Sequence, residues 1–126
     1  MIGYITLGSN NVATLAAFYD ELFKELSIFR VFDSESFVAW GENADDQLFS
    51  IITPFNKEAA TVGNGVMIAI KLPSKEKVTL MHRKAIELGA QDEGAPGLRQ
   101  EGFYCGYIRD LEGNKINFYH KESENT

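Results

Sequence analysis

Residues 2 to 7 alternate apolar and polar positions and run into Gly8-Ser9-Asn10-Asn11, a cluster of turn and cap formers. This predicts a strand followed by a helix start. Val12, Leu15, Tyr19, Leu22 and Leu26 then recur at three- and four-residue spacing, with Phe18 and Phe23 widening the stripe. Asn10 or Asn11 can accept from the first free backbone N–H groups, so the helix is expected over about 12–26. Three short apolar runs follow, Ile28–Phe32, Phe37–Trp40 and Leu48–Thr53. The polar stretches between them, residues 33–36 and 41–46, read as turns joining three strands.

Pro54 to Gly65 reads as a loop, after which the order repeats. Val66–Leu72 is a strand, Pro73-Ser74 a second strand-to-helix junction, and residues 75–89 a helix closed by Gly89. Val78, Met81, His82, Ala85 and Leu88 share one face of that helix. The Gly- and Pro-bearing stretch Asp92–Gly102 is expected as a mobile loop, followed by strands Phe103–Arg109 and Lys115–His120 around the turn 110–114. Tyr4 and Met67 hold corresponding places in the two opening strands, 63 residues or half a chain apart. The pattern therefore admits an internal duplication, whose two sheets would enclose a cleft suited to a small molecule.

At 126 residues the chain suffices for one domain with a proper core, and with 44% apolar and 24% charged residues it is globular in composition. Twelve basic against eighteen acidic residues leave a net charge of −6, which argues against nucleic-acid binding. The N-terminus lacks a basic region, and no apolar run approaches the ~20 residues of a membrane span, so no membrane partner is expected. Cys105 is the single cysteine and cannot form an internal disulfide. A cytoplasmic location is the expectation that fits.

The residues 4–11, YITLGSNN, before a helix carrying Ala17-Phe18-Tyr19-Asp20, resemble the vicinal oxygen chelate superfamily, the glyoxalase, bleomycin-resistance and dioxygenase group. Residues 66–70 and, above all, the segment 102–117 with its Arg109-Asp110-x-x-Gly113-Asn114-Lys115 hairpin carry the same likeness, which spans nearly the whole chain. The resemblance implies an α+β fold of paired βαβββ modules in a single domain, module one over about 1–56 and module two over about 64–120, forming a homodimer. Many members hold a divalent metal with histidine and carboxylate ligands, one from each of four strands. Carried over position by position, those ligands fall on Tyr4, Ser50, Met67 and Asn117, all departures from the family pattern. A phenol, a hydroxyl, a thioether and an amide are a poor set for Zn²⁺, Fe²⁺, Ni²⁺ or Mn²⁺, so no metal or other cofactor is expected.

Other candidates are weighed against plainer roles. Cys105 is a candidate nucleophile with no histidine near it in sequence, and a strand cysteine is more often a small buried hydrophobe. His82 reads as a packing residue rather than an acid or base, and His120 lies near the chain end. Arg109 is expected to pair with Asp110 or Glu112, whereas Arg99, ahead of an aromatic strand, is placed to close over an anionic or carbonyl ligand. Strand alternation with Ile5 and Leu7 under the helix turns Tyr4 and Thr6 to the other face, and the resemblance implies the same parity for Ser50, Met67 and Asn117. Tyr4, Trp40, Ser50, Met67, Arg99, Phe103 and Asn117 are the expected ligand contacts. The expectation is a binding protein for a small, polar aromatic or drug-like molecule, with cationic ligands modestly favoured by the net charge. The alternative is a lyase, isomerase or dioxygenase of the glyoxalase type, whose metal-assisted chemistry would have to be replaced by Tyr4 or Arg99.

Overall fold

A computed structural model describes residues 1–122 and divides the chain into two units, Met1–Gly63 and a second beginning at Asn64. In the first, strand β1 (Tyr4–Gly8) leads to helix α1 (Val12–Lys24). Asn11 caps the helix by accepting from the Thr14 N–H at 3.1 Å, and Ser9 Oγ accepts from the Asn11 N–H at 3.0 Å. The helix ends two residues before the expected Leu26, because Ser27 adopts a left-handed φ of 56° that turns the chain toward the sheet. Strands β2 (Phe29–Asp33), β3 (Phe37–Gly41) and β4 (Leu48–Ile52) complete the unit. The sheet order is β1-β4-β3-β2, with β1 parallel to β4 and the other neighbours antiparallel.

The second unit repeats this order. Strand β5 (Ile68–Lys71) precedes helix α2 (Lys75–Glu87), whose cap Ser74 accepts from the Lys77 N–H at 3.1 Å. Strands β6 (Gln91–Leu98), β7 (Phe103–Arg109) and β8 (Lys115–Lys121) follow, giving the sheet β5-β8-β7-β6 with β5 parallel to β8. The architecture is therefore α+β, two βαβββ modules. Each helix covers one face of its own sheet. Leu15, Tyr19, Leu22 and Phe23 pack on Val38, Trp40, Phe49 and Ile51 in the first unit, and Val78, Met81 and Ala85 sit over Ile108, Ile116 and Phe118 in the second.

One expectation is corrected here. The stretch expected as a mobile loop from Asp92 to Gly102 begins as strand β6, paired antiparallel with β7 across two register irregularities. It is an edge strand, where Pro96 and the glycines are tolerated because one side of the ladder needs no partner. Arg109 pairs with Glu93 of β6 at 3.3 Å and donates to Gly113 O at 3.1 Å. Asp110 organises the hairpin turn, its Oδ1 accepting from the backbone N–H groups of Glu112 at 2.9 Å and Asn114 at 3.0 Å. His82 is buried on α2 and bonds Asp92 at 3.0 Å, the packing role expected of it. His120 lies within β8, its Nδ1 meeting Leu72 O at 2.9 Å.

Among the described residues, no helix is long and apolar enough to cross a membrane.

Candidate functional site

Alternation along β5, β7 and β8 sorts the second sheet into two faces. Ile68, Ile70, Ile108, Ile116 and Phe118 turn toward α2, while Met67 and Ala69, Phe103, Cys105 and Tyr107, and Asn117 and Tyr119 turn to the opposite face. These seven side chains, with Arg99 and Gln100 from the turn after β6, line a cavity of about 490 Å³. Four of the expected ligand contacts, Met67, Arg99, Phe103 and Asn117, thus come together. The volume is within the range that accepts a small organic molecule, and the lining is mostly apolar and aromatic with a few polar groups, as ligand cavities are.

The remaining three candidates belong to the first unit. Tyr4 lies on the sheet face away from α1, edge-on to Phe37 with ring centroids 6.4 Å apart. Ser50 shares that face but is fully buried, and its hydroxyl donates to Ile5 O. Trp40 turns the other way. It lies under α1, 1% exposed, against Tyr19, Phe23 and Phe49, and its Nε1–H donates to Asp20 Oδ1 at 2.9 Å. The strand parity that puts Phe37 and Ala39 on the face away from α1 puts Val38 and Trp40 on the helix face, so Trp40 is core in the first unit.

Arg99 is held in a defined pose. Its backbone N–H donates to Phe103 O at 2.7 Å, its Nη2 donates to Ala95 O at 2.9 Å, and the guanidinium lies 5.7 Å from the Tyr107 ring centroid. Glycines make room for it. A Cβ at Gly97 would stand 3.1 Å from Arg99 Nη1, and one at Gly94 would stand 2.9 Å from Tyr107 Cδ2 and 3.5 Å from Arg99 Nη2. Lys115 Nζ lies 5.4 Å from the same Tyr107 centroid, and Lys121 Nζ lies 5.1 Å from that of Phe103. Phe103 and Tyr119 pack with centroids 5.6 Å apart.

The polar groups are few and differ in state. Burial raises the Tyr107 phenol above its ordinary value, its hydrogen bond and proximity to the Cys105 thiol add to the rise, and Arg99 opposes it. The phenol is therefore a hydroxyl donor at neutral pH. Asn117, almost wholly buried, donates to Gly106 O through Nδ2 at 3.4 Å, a long contact. Cys105 is buried, a free thiol in the cavity lining.

The sequence reading missed Ala69, Gln100, Cys105, Tyr107 and Tyr119 as lining residues. For four of these the signal was present, since each stands two or four residues from an expected contact on the same strand, Met67, Phe103 or Asn117. Gln100 follows Arg99 in a short 3₁₀ turn, Gln100–Gly102, for which periodicity gives no signal.

No family profile and no curated protein matches the chain. Solved structures do. A glyoxalase/bleomycin resistance protein from Albidiferax ferrireducens superposes with a TM-score of 0.88 at 32% identity, over 97% of this chain and 99% of that one. The chain belongs to the glyoxalase/bleomycin resistance protein family, within the vicinal oxygen chelate superfamily. A glyoxalase/bleomycin resistance protein/dioxygenase family enzyme from Burkholderia phytofirmans shares the fold with a TM-score of 0.78 at 17% identity, covering 95% of this chain and 98% of that one. A lactoylglutathione lyase from Agrobacterium tumefaciens does so with a TM-score of 0.70 at 18% identity, covering 95% and 92%.

The metal that many members of this superfamily carry meets an unsuitable donor set here. At the four carried-over positions Ser50 holds its hydroxyl against Ile5 O, Asn117 offers an amide already directed at Gly106 O, and Tyr4 and Met67 present a phenol and a thioether. Among the described residues, no three His, Cys, Asp or Glu side chains gather into a group able to hold a metal ion. The residues at the inherited positions do not fit the group.

Proposed function

We propose that this member of the glyoxalase/bleomycin resistance protein family binds a small, planar molecule in the cavity of its second unit and does so without a metal. The observation that carries the reading is the convergence of Met67, Arg99, Phe103, Tyr107 and Asn117 on one cavity of about 490 Å³, where aromatic faces supply stacking surface and three polar groups fix orientation. Capture of a drug-like compound is the activity that the words "bleomycin resistance" suggest for a family member with such a lining. A homodimer belongs to the same proposal. Tyr4 and Phe32, 62% and 60% exposed, both pack against the ring of Phe37, an exposed aromatic surface on the first sheet that a second copy would cover. Cys105, free and buried, suits the reducing cytoplasm.

A lyase, isomerase or dioxygenase of the glyoxalase type is the second reading, and one feature favours it. The Tyr107 hydroxyl, kept protonated beside the Arg99 cation, is a donor pair able to stabilise negative charge developing on a carbonyl oxygen. Among the described lining residues no carboxylate or imidazole accompanies it as a general base, so binding is preferred. A thermal-shift screen of metabolites and antibiotics, with each hit assayed for turnover with and without Ni²⁺, Zn²⁺, Fe²⁺ and Mn²⁺, separates the two. Hits recovered unchanged support capture; metal-stimulated conversion of the hemithioacetal of methylglyoxal and glutathione refutes it.

A further inference from the structure

The net charge of −6 favours cationic ligands, yet the charges that face the cavity have the opposite sign. Arg99 is the one charged side chain among the lining residues described, and its guanidinium donates to a carbonyl oxygen, Ala95 O, rather than to a carboxylate. Lys115 and Lys121 stand against the rings of Tyr107 and Phe103 on the same sheet face. Neighbouring carboxylates are engaged elsewhere: Glu93 by Arg109 at 3.3 Å, Glu122 by Lys75 at 2.6 Å and Asp92 by His82 at 3.0 Å. Glu101 is exposed on the 3₁₀ turn and does not line the cavity. At the short range over which a bound ligand interacts, these cations outweigh a net charge spread over the whole surface.

The guanidinium is also prepared for its role. Gly94 and Gly97 leave the space in which it lies beside Tyr107, and only one of its five N–H groups is committed to Ala95 O. A planar fork held in place loses little freedom when it meets a planar carboxylate. Resting on the reading that this cavity is the ligand site, we propose that it selects planar aromatic monoanions, with Arg99 as the anion-recognising residue. The carboxylate meets Arg99 and the Tyr107 hydroxyl, the ring stacks on Phe103 and Tyr119, and Asn117 takes a polar substituent.

Three probes of one shape test the charge preference: 2-naphthoate, 2-naphthamide and 2-naphthylmethylammonium, titrated calorimetrically into the intact protein. Naphthoate is expected to bind about tenfold or more tightly than the amide, as a charge-assisted bond adds, and the ammonium weakest. Arg99→Gln should remove that preference for the anion, and Arg99→Lys should restore part of it. Gly97→Ala, which leaves every lining residue in place but crowds Nη1, should weaken naphthoate selectively. All variants are checked for unchanged melting, which Arg99 permits because it is exposed. Equal binding of the three probes, tighter binding of the ammonium, or no binding of naphthoate at millimolar concentration overturns the proposal. Equal binding that is lost in Phe103→Ala still supports the cavity as the site; binding of all three that survives both Phe103→Ala and Asn117→Ala overturns the cavity reading as well.

Discussion

Replacing Asp20 tests how the first unit holds its only tryptophan. Asp20 accepts three hydrogen bonds, from Trp40 Nε1 at 2.9 Å and from Arg30 Nε and Nη2 at 2.9 and 2.7 Å, and Arg30 also reaches Asp33 at 3.0 Å. In Asp20→Ala the Trp40 N–H loses its acceptor in a site that is 1% exposed, a loss worth about 1–3 kcal/mol. The Arg30 pair adds at most about 1 kcal/mol, since both of its side chains are about one-third exposed and solvent screens them. A destabilisation of about 2 kcal/mol follows. Asp20→Asn keeps an acceptor oxygen for Trp40 and should cost about half as much. Desolvation raises the Asp20 carboxyl, but hydrogen bonds from Arg30 and Trp40 and the charge of Arg30 outweigh it and hold the group below its ordinary value. Its contribution is therefore fully present above the unfolded carboxylate value and is lost as the pH falls through the lower folded value, below about pH 4. Urea unfolding followed by Trp40 fluorescence at pH 7 and at several acidic values measures each effect. A loss under about 0.5 kcal/mol for Asp20→Ala, or an acid slope unchanged in Asp20→Asn, would refute the reasoning.

Asp110→Ala should destabilise the second unit by about 2–4 kcal/mol, because the buried Asn114 N–H and side-chain amide lose their acceptor; urea titration measures it. Light scattering at micromolar concentration should give twice the 14.1 kDa chain mass, and a mass of one chain removes the dimer. Metal analysis of protein purified without an affinity tag should give well under one equivalent, and a stoichiometric transition metal would show that the donor argument failed. Phe103→Ala should cost a bound aromatic ligand about tenfold in affinity through lost stacking, read by calorimetry.

The repeated module was legible because both helices carry strong 3.6-residue stripes and begin at side chains able to cap them, Asn11 and Ser74. Edge strand β6 was not, because Gly94, Pro96 and Gly97 are loop formers by local chemistry and only pairing with β7 makes them a strand. The same glycines explain why Arg99 was noticed while its setting was not: their value lies in side chains they lack, which matters only once Tyr107 and Arg99 fold over them. The parity that the resemblance implies put Met67 and Asn117 on one face, and alternation carried two residues on from Asn117 and two and four on from Phe103 would have reached Tyr119, Cys105 and Tyr107. Trp40 went astray for the opposite reason. A large aromatic with a polar N–H suits a pocket or a core, and the choice fell to Asp20 on α1, twenty residues earlier, which satisfies that N–H from the helix side.

Backbone amide shifts of isotope-labelled protein, titrated in EDTA with the tightest-binding compound from the screen, test metal-free capture in the second unit's cavity most directly. The largest changes should fall at Met67, Arg99, Phe103, Tyr107 and Asn117, with the compound recovered unaltered. Changes centred away from these residues, or binding abolished by EDTA and restored by a divalent metal, would contradict the account.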